Sequence, residues 1–115
     1  MTSPAISCLI PVFNAERFLP AAMDSVLGQT FADFEVVVVD DGSTDRSAEI
    51  IADYARRDPR VKLFSKPNGG IVSALNFGLQ HCRGDHVARM DADDIALPDR
   101  FFVQMATFAQ HPDAV

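Results

Sequence analysis

Val36 to Val39 are four consecutive valines, and Asp40 and Asp41 follow them without a break. No polar residue alternates within that run, so a strand built from it must be covered on both faces, as the strands of parallel sheets are. Residues 5 to 12 (AISCLIPV) form a second run of the same kind. Between the two, Phe18, Ala22 and Val26, with Leu19, Met23 and Leu27, recur at i+4 and predict a helix over about 16 to 27. Asn14 is placed to cap it, Pro20 suits its first turn, and Gly28 stops it. The pattern repeats along the chain. A helix over about 45 to 56, capped by Ser43 or Thr44, carries Ile50, Ile51, Tyr54 and Ala55. A strand over 60 to 65 leads to a turn at Asn68-Gly69-Gly70, and Ile71, Ala74, Leu75, Gly78, Leu79 and Cys82 then space out a third helix. A strand over 85 to 90 precedes a last helix, with Pro98 at its first position and Phe101, Phe102, Met105 and Phe108 on its face. The order β-α-β-α-β-α-β-α with short connections predicts an α/β fold, a Rossmann-like parallel sheet with helices on both faces.

The 115 residues suit a single domain over 1–115, and 48% apolar content supplies its core. A formal charge of −6 excludes an unaided nucleic-acid surface, which needs a basic footprint. The apolar runs are far shorter than the roughly 20 residues that span a bilayer, and no signal-peptide pattern opens the chain. Cys8 and Cys82 lack the spacing of a metal or redox motif and read as reduced core thiols. A cytoplasmic location is the expectation.

Ligands of such sheets bind where the carboxyl ends of the strands meet a switch in strand order. The residues at those ends are therefore informative. They are Pro11, Phe13 and Asn14 at the first strand, Asp40 and Asp41 at the second, Asn68, Gly69 and Gly70 at the third, and Asp91, Asp93 and Asp94 at the fourth. Five of the 16 acidic residues gather on one edge. At 4 Å, unit charges repel by about 4 kcal/mol at an effective dielectric near 20, so such a cluster calls for a cation, hydrogen bonds or protonation. An all-aspartate set prefers magnesium or manganese to zinc, and these ions complete their shell with phosphate oxygens and water. The ion, and not the protein, would then neutralise a diphosphate. Helix capping is the alternative for individual aspartates, Asp45 or Asp99 foremost. Phe13 has two readings, a stacking face for a base or a core aromatic. Asn68-Gly69-Gly70 likewise reads as a plain turn or as a close backbone approach to a ligand. Arg89 either pairs with a neighbouring acid or reaches a phosphate. His81, His86 and His111 have no second ligand near them in sequence and read as surface or core residues. No Ser-His-Asp set, Walker loop or G-x-G-x-x-G is present.

Taken in order, Ile10-Pro11-Val12-Phe13-Asn14, Gln29-Thr30-Phe31, Val38 to Asp45, Asn68-Gly69-Gly70, Met90-Asp91-Ala92-Asp93-Asp94 and Leu97-Pro98-Asp99-Arg100 resemble family 2 of the glycosyltransferases. The resemblance runs from about residue 5 to the end. It implies the GT-A fold and the transfer of a sugar, usually with inversion and with Mn2+ or Mg2+, from a nucleotide-diphosphate sugar, most commonly a UDP-sugar. The acceptor would be a saccharide or a lipid-linked sugar in polysaccharide or glycoconjugate synthesis. By motif, Pro11 and Phe13, with Asn14 beside them, would line the base pocket. Asp41 would hydrogen-bond the base, and Asp40 would support the same turn. Asn68, Gly69 and Gly70 would border the donor. Asp91 and Asp93 would be the outer residues of a DxD motif, with Asp93 near the ribose and the metal and Asp94 a direct metal ligand.

The same resemblance places the general base well beyond the DxD segment, so none of the present residues is assigned to it. Pro112 is expected to end the last helix and Ala114-Val115 to begin another strand. The expectation is a donor-binding part of a longer enzyme that binds nucleotide and transfers sugar poorly, with self-association through an exposed sheet edge. Two other classes share parts of this pattern. A phosphoryl-receiver domain would carry its acids after the first and third strands, whereas here they come after the second and fourth. A non-catalytic nucleotide-binding module would lack a reason to keep Asp91-Ala92-Asp93-Asp94 intact.

Overall fold

The computed structural model describes residues 3–110. Four strands, β1 (Ile6–Val12), β2 (Phe34–Asp41), β3 (Val61–Lys66) and β4 (His86–Arg89), alternate with four helices, α1 (Leu19–Leu27), α2 (Ser47–Arg57), α3 (Ile71–Leu79) and α4 (Arg100–Gln110). The strands form one parallel sheet in the order β3-β2-β1-β4. All of β2 is buried, as its unbroken apolar run requires. His111, Pro112 and Ala114-Val115 lie outside the described residues. No described helix is long and apolar enough to cross a membrane.

Side chains of the two central strands divide by period two. Ile6, Cys8, Ile10, Val12, Val36 and Val38 pack with Leu19, Met23 and Val26 of α1, Ile51 and Tyr54 of α2, and Phe101 of α4. Leu9, Val37 and Val39 pack with Ala74 of α3 on the opposite face. The handedness of the crossovers dictates this arrangement. The steps β1 to β2 and β2 to β3 run one way across the sheet, so α1 and α2 share a face. The step from β3 back past β1 to β4 runs the other way, and a right-handed crossover then puts α3 on the opposite face. Helix α3 comes close enough to the sheet that a Cβ on Gly78 would run into Leu9 and Val39.

Several local expectations give way to tertiary contacts. Helix α1 begins at Leu19, with Pro20 in its first turn as expected, but Asn14 does not cap it: Phe18 occupies the N-cap without a side-chain bond. Arg46, and neither Ser43 nor Thr44, precedes α2. The orphan amide of Ser47 donates instead to Asp45 Oδ1 at 2.8 Å. Pro98 lies two residues before α4, where its carbonyl accepts from Thr30 N at 2.9 Å. Phe18, Ile71, Leu79 and Phe102, expected on buried helix faces, are exposed. Cys82 lies beyond the end of α3 but still packs against its cluster. Both cysteines are free, and burial pushes the Cys8 thiol up to about 12.

Two buried polar clamps hold the loops. At the amino end of the sheet, Glu35 Oε2 accepts from Ser7 Oγ and from Arg83 N, both at 2.6 Å, and Ser7 Oγ accepts from Gly84 N at 2.7 Å. After α1, buried Gln29 donates from Nε2 to Leu97 O at 2.7 Å and accepts at Oε1 from Phe101 N at 2.9 Å. Thr30 Oγ1 donates to Asp99 Oδ1 at 2.8 Å, so the segment Gln29-Thr30 is the dock for Leu97 to Phe101. Removing the Gln29 amide strands two backbone groups. Gln29→Ala is therefore expected to lower stability by about 2 kcal/mol in urea unfolding. A variant within about 0.5 kcal/mol of the parent would mean that α4 docks through its apolar face alone.

Candidate functional site

The connection that reverses direction opens a crevice between the carboxyl ends of β1 and β4. A cleft of about 490 Å³ occupies it. Of the residues singled out from sequence, Pro11, Phe13, Asn14, Asp41, Asn68, Gly70, Asp91 and Asp93 line this cleft. Asp40, Gly69 and Asp94 are not part of its lining. Val12, Ala15, Phe18, Ile71, Ala74 and Ala92 also line it and were not foreseen. Their signal was hidden because apolar residues read as core from sequence. Phe13 is 52% exposed, which settles its two readings against a core aromatic. With Phe18 and Ile71, both 53% exposed, it gives the cleft an apolar lining.

Asp41 closes β2 and is 4% exposed. Its Oδ1 accepts from Lys66 Nζ and from Gly69 N, each at 3.0 Å, and its Oδ2 accepts from Gly70 N at 2.9 Å. Burial pushes its carboxyl up, but the Lys66 ammonium and the two glycine amides outweigh that and hold it below the usual carboxylate range. A carboxylate offers about four acceptor positions. Three are used, which leaves one on Oδ2. Gly42 permits the sharp exit from β2: its φ is +74°, and a Cβ there would lie 2.7 Å from Asn68 N. Asn68 Nδ2 in turn donates to Asp41 O at 3.0 Å. The Asn68-Gly69-Gly70 turn is thus a shell around the Asp41 carboxylate.

Asn14 sits in the left-handed region at φ 49°, which asparagine tolerates. Its Oδ1 accepts from Thr44 N at 2.8 Å and Asp45 N at 3.3 Å, and its own amide donates to Ser43 Oγ at 2.9 Å. It therefore ties the loop after β1 to the loop after β2 instead of starting a helix. Asp40 accepts from Ser43 N at 3.3 Å and supports the same turn.

Beyond β4 the chain alternates. Met90 and Ala92 are buried, while Asp91, Asp93 and Asp94 are exposed. Met90 N donates to Leu9 O at 3.0 Å, Asp94 N to Asp91 O at 3.1 Å, and Asp91 N to Asp94 Oδ2 at 3.2 Å, which winds the three acids into a tight turn. One carboxylate oxygen from each lies within 4.8 Å of the others. That donor set is all oxygen and all anionic, so it fits a hard divalent ion such as Mn2+ or Mg2+. Arg89 pairs with Asp91 at 3.3 Å, the local option of its two. Among the described residues no lysine or arginine lines the cleft, while Asp41, Asp91 and Asp93 do. The cleft thus joins an apolar lining, a single buried acceptor and an acidic rim.

Over residues 7–115 the chain matches the model of the family described as glycosyl transferase family 2. It is 43% identical over 91 residues to the uncharacterized glycosyltransferase EpsJ of Bacillus subtilis, covering 79% of this chain and 26% of that protein. Its fold is similar to S. aureus TarS 1-349 in complex with UDP-GlcNAc, at a TM-score of 0.86 and 30% identity, covering 92% of this chain and 31% of that one. It is also similar to the mannosyltransferase PcManGT from Pyrobaculum calidifontis in complex with GDP-Man and Mn2+. There the TM-score is 0.75 with 28% identity, covering 93% of this chain and 32% of that one. The chain therefore spans about a quarter of the first relative and about a third of the two solved structures.

The Asp41 shell makes a stability prediction. Asp41→Asn leaves the Lys66 ammonium, 13% exposed, without its counter-charge, and is expected to cost about 3 kcal/mol at neutral pH. A carboxyl lowered by folding stabilises above its unfolded value near 4 and loses that contribution as pH falls through the folded value. Urea unfolding from about pH 7 down to about pH 2 should show the gap between parent and variant shrinking below about pH 4. A gap of constant size would contradict an ionised Asp41.

Proposed function

The chain belongs to glycosyl transferase family 2, and on that premise we propose that its cleft binds the nucleotide-diphosphate sugar of an inverting glycosyl transfer, with a UDP-sugar as donor. The observation that carries this reading is the pairing of one open carboxylate acceptor at Asp41 with a three-carboxylate rim and no lining cation. A planar base stacks against the exposed ring of Phe13. An ionised carboxylate only accepts hydrogen bonds, and one open position matches the single N3–H of uracil better than the two-donor edge of guanine. Pro11, Asn14, Asn68 and Gly70 shape the pocket around the base and sugar, and Gly69 completes the Asp41 shell.

Asp93 and Asp94 hold the divalent ion, with Asp91 and Asp93 toward the ribose and the acidic rim. Such an ion would supply positive charge to the diphosphate and to its leaving group. Among the described residues no lysine or arginine lines the cleft to take this role. Transfer with inversion also requires a general base at the acceptor hydroxyl. The carboxylates of the cleft are all engaged with the donor or the ion in this reading. The described residues by themselves therefore bind donor and turn it over poorly.

Calorimetric titration of UDP tests the proposal. Binding should require Mn2+ or Mg2+, disappear with chelator, and weaken at least about tenfold in Asp94→Ala, equivalent to about 1.4 kcal/mol. Binding that is indifferent to chelator would remove the metal from the site, and tighter binding of GDP than of UDP would overturn the choice of base.

A further inference from the structure

We propose that Lys66 is a positioning residue for donor recognition: its ammonium holds Asp41 as an oriented anion, and so sets which polarity of base edge the cleft accepts. The proposal rests on the reading that Asp41 accepts a hydrogen bond from the base. Lys66 does not line the cleft; it acts through Asp41. Parallel pairing of β2 with β3 puts Asp41 and Lys66 opposite each other as the last partners of the ladder. Lys66 Nζ is fixed by two contacts, 3.0 Å to Asp41 Oδ1 and 2.7 Å to Pro67 O. Both side chains are largely removed from water, at 13% and 5% exposure.

Stability is a weak reason for such a pair. An apolar pair of similar volume at two neighbouring buried positions is often neutral or better. The surroundings supply another reason. Around Asp41 stand the amides of Gly69 and Gly70 from the turn and Lys66 from β3. Asp40 is adjacent in the chain and is engaged with Ser43 N, and Asp91 and Asp93 are on the walls of the same cleft. Burial and these like charges all favour a protonated Asp41, and Lys66 is the cation in contact that opposes them. Protonation would put a donor where the open acceptor now is. The site would then face a ring N–H with a like dipole and would suit a ring nitrogen acceptor instead. Uracil presents the former and cytosine the latter. Lys66 thereby guards the discrimination between the two as well as the affinity.

The test is a titration of UDP and CDP, under saturating Mg2+, into the parent and Lys66→Met at about pH 8 and about pH 5.5. The ratio of variant to parent affinity cancels the titration of the diphosphate itself. That ratio for UDP should fall roughly tenfold on going to the lower pH, and the preference for UDP over CDP should narrow in the variant alone. A loss of equal size at both pH values and for both nucleotides would be a purely structural effect and would overturn the proposal. If Lys66→Met does not fold, Lys66→Gln, which keeps a donor without the charge, carries the same expectations. If the parent binds neither nucleotide, the donor reading fails, and the positioning role is decided without ligand by following the Asp41 carboxyl carbon by NMR. Its midpoint should rise by about three units in the variant, as a tenfold loss at about pH 5.5 requires, and an unmoved midpoint would overturn the role.

Discussion

Asp41 carries a negative charge at the end of a strand whose middle is four valines and which is covered on both faces. A buried carboxylate is tolerated only where donors replace the water it has lost. Here three donors do so, one ammonium from the neighbouring strand and two amides from the turn beyond it. Much of the local architecture meets that demand. Strand β3 must end on Lys66 in register with Asp41. The chain must leave β2 through Gly42 so that Asn68 can pass within contact distance. The turn at Asn68-Gly69-Gly70 must present its amides inward before α3 begins. A site that looks like a loop decorated with glycines is held by electrostatics.

The rest of the cleft is a consequence of chirality. Because crossovers are right-handed, reversing the direction of travel across the sheet forces α3 to the face opposite α1 and α2, and the crevice opens beside β1. The loops after β1 and β4 meet there, which brings exposed Phe13 and the Asp91, Asp93 and Asp94 turn to one cleft. The three acids repel one another in the absence of a counter-ion, and Arg89 relieves only Asp91. An exposed donor set that is all oxygen and all anionic suits a hard divalent cation.

The strands, their parallel pairing and the clustering of aspartates were legible in the sequence, because continuous apolar runs and their polar ends depend on few alternatives. Helix starts were not. Asn14 has the chemistry of a cap, yet its side chain serves a partner 30 positions away at Thr44. Asp45 receives the first amide of α2, as its capping alternative allowed, whereas Ser43 and Thr44 are tied to Asn14. Phe18 and Ile71 carry the right spacing for core and instead face the cleft, since a helix end above a crevice has no sheet beneath it. Ser7, Glu35 and Gln29 gave little signal, for each is a single polar residue whose partners lie far along the chain.

Local chemistry alone determined that this chain makes a parallel α/β sheet and that carboxylates collect at one edge of it. Those properties depend on hydrophobic period and on the positions of residues relative to strand ends, which are short-range quantities. Tertiary structure alone decided which carboxylates are buried and which exposed, that Lys66 neutralises Asp41, and that three of the acceptor positions of Asp41 are already taken. Those are set by distances between segments far apart in the chain that the sheet brings together. A charge has no preferred state until its neighbours and its access to water are known, so the ionisation and the open acceptor of the cleft are properties of the fold.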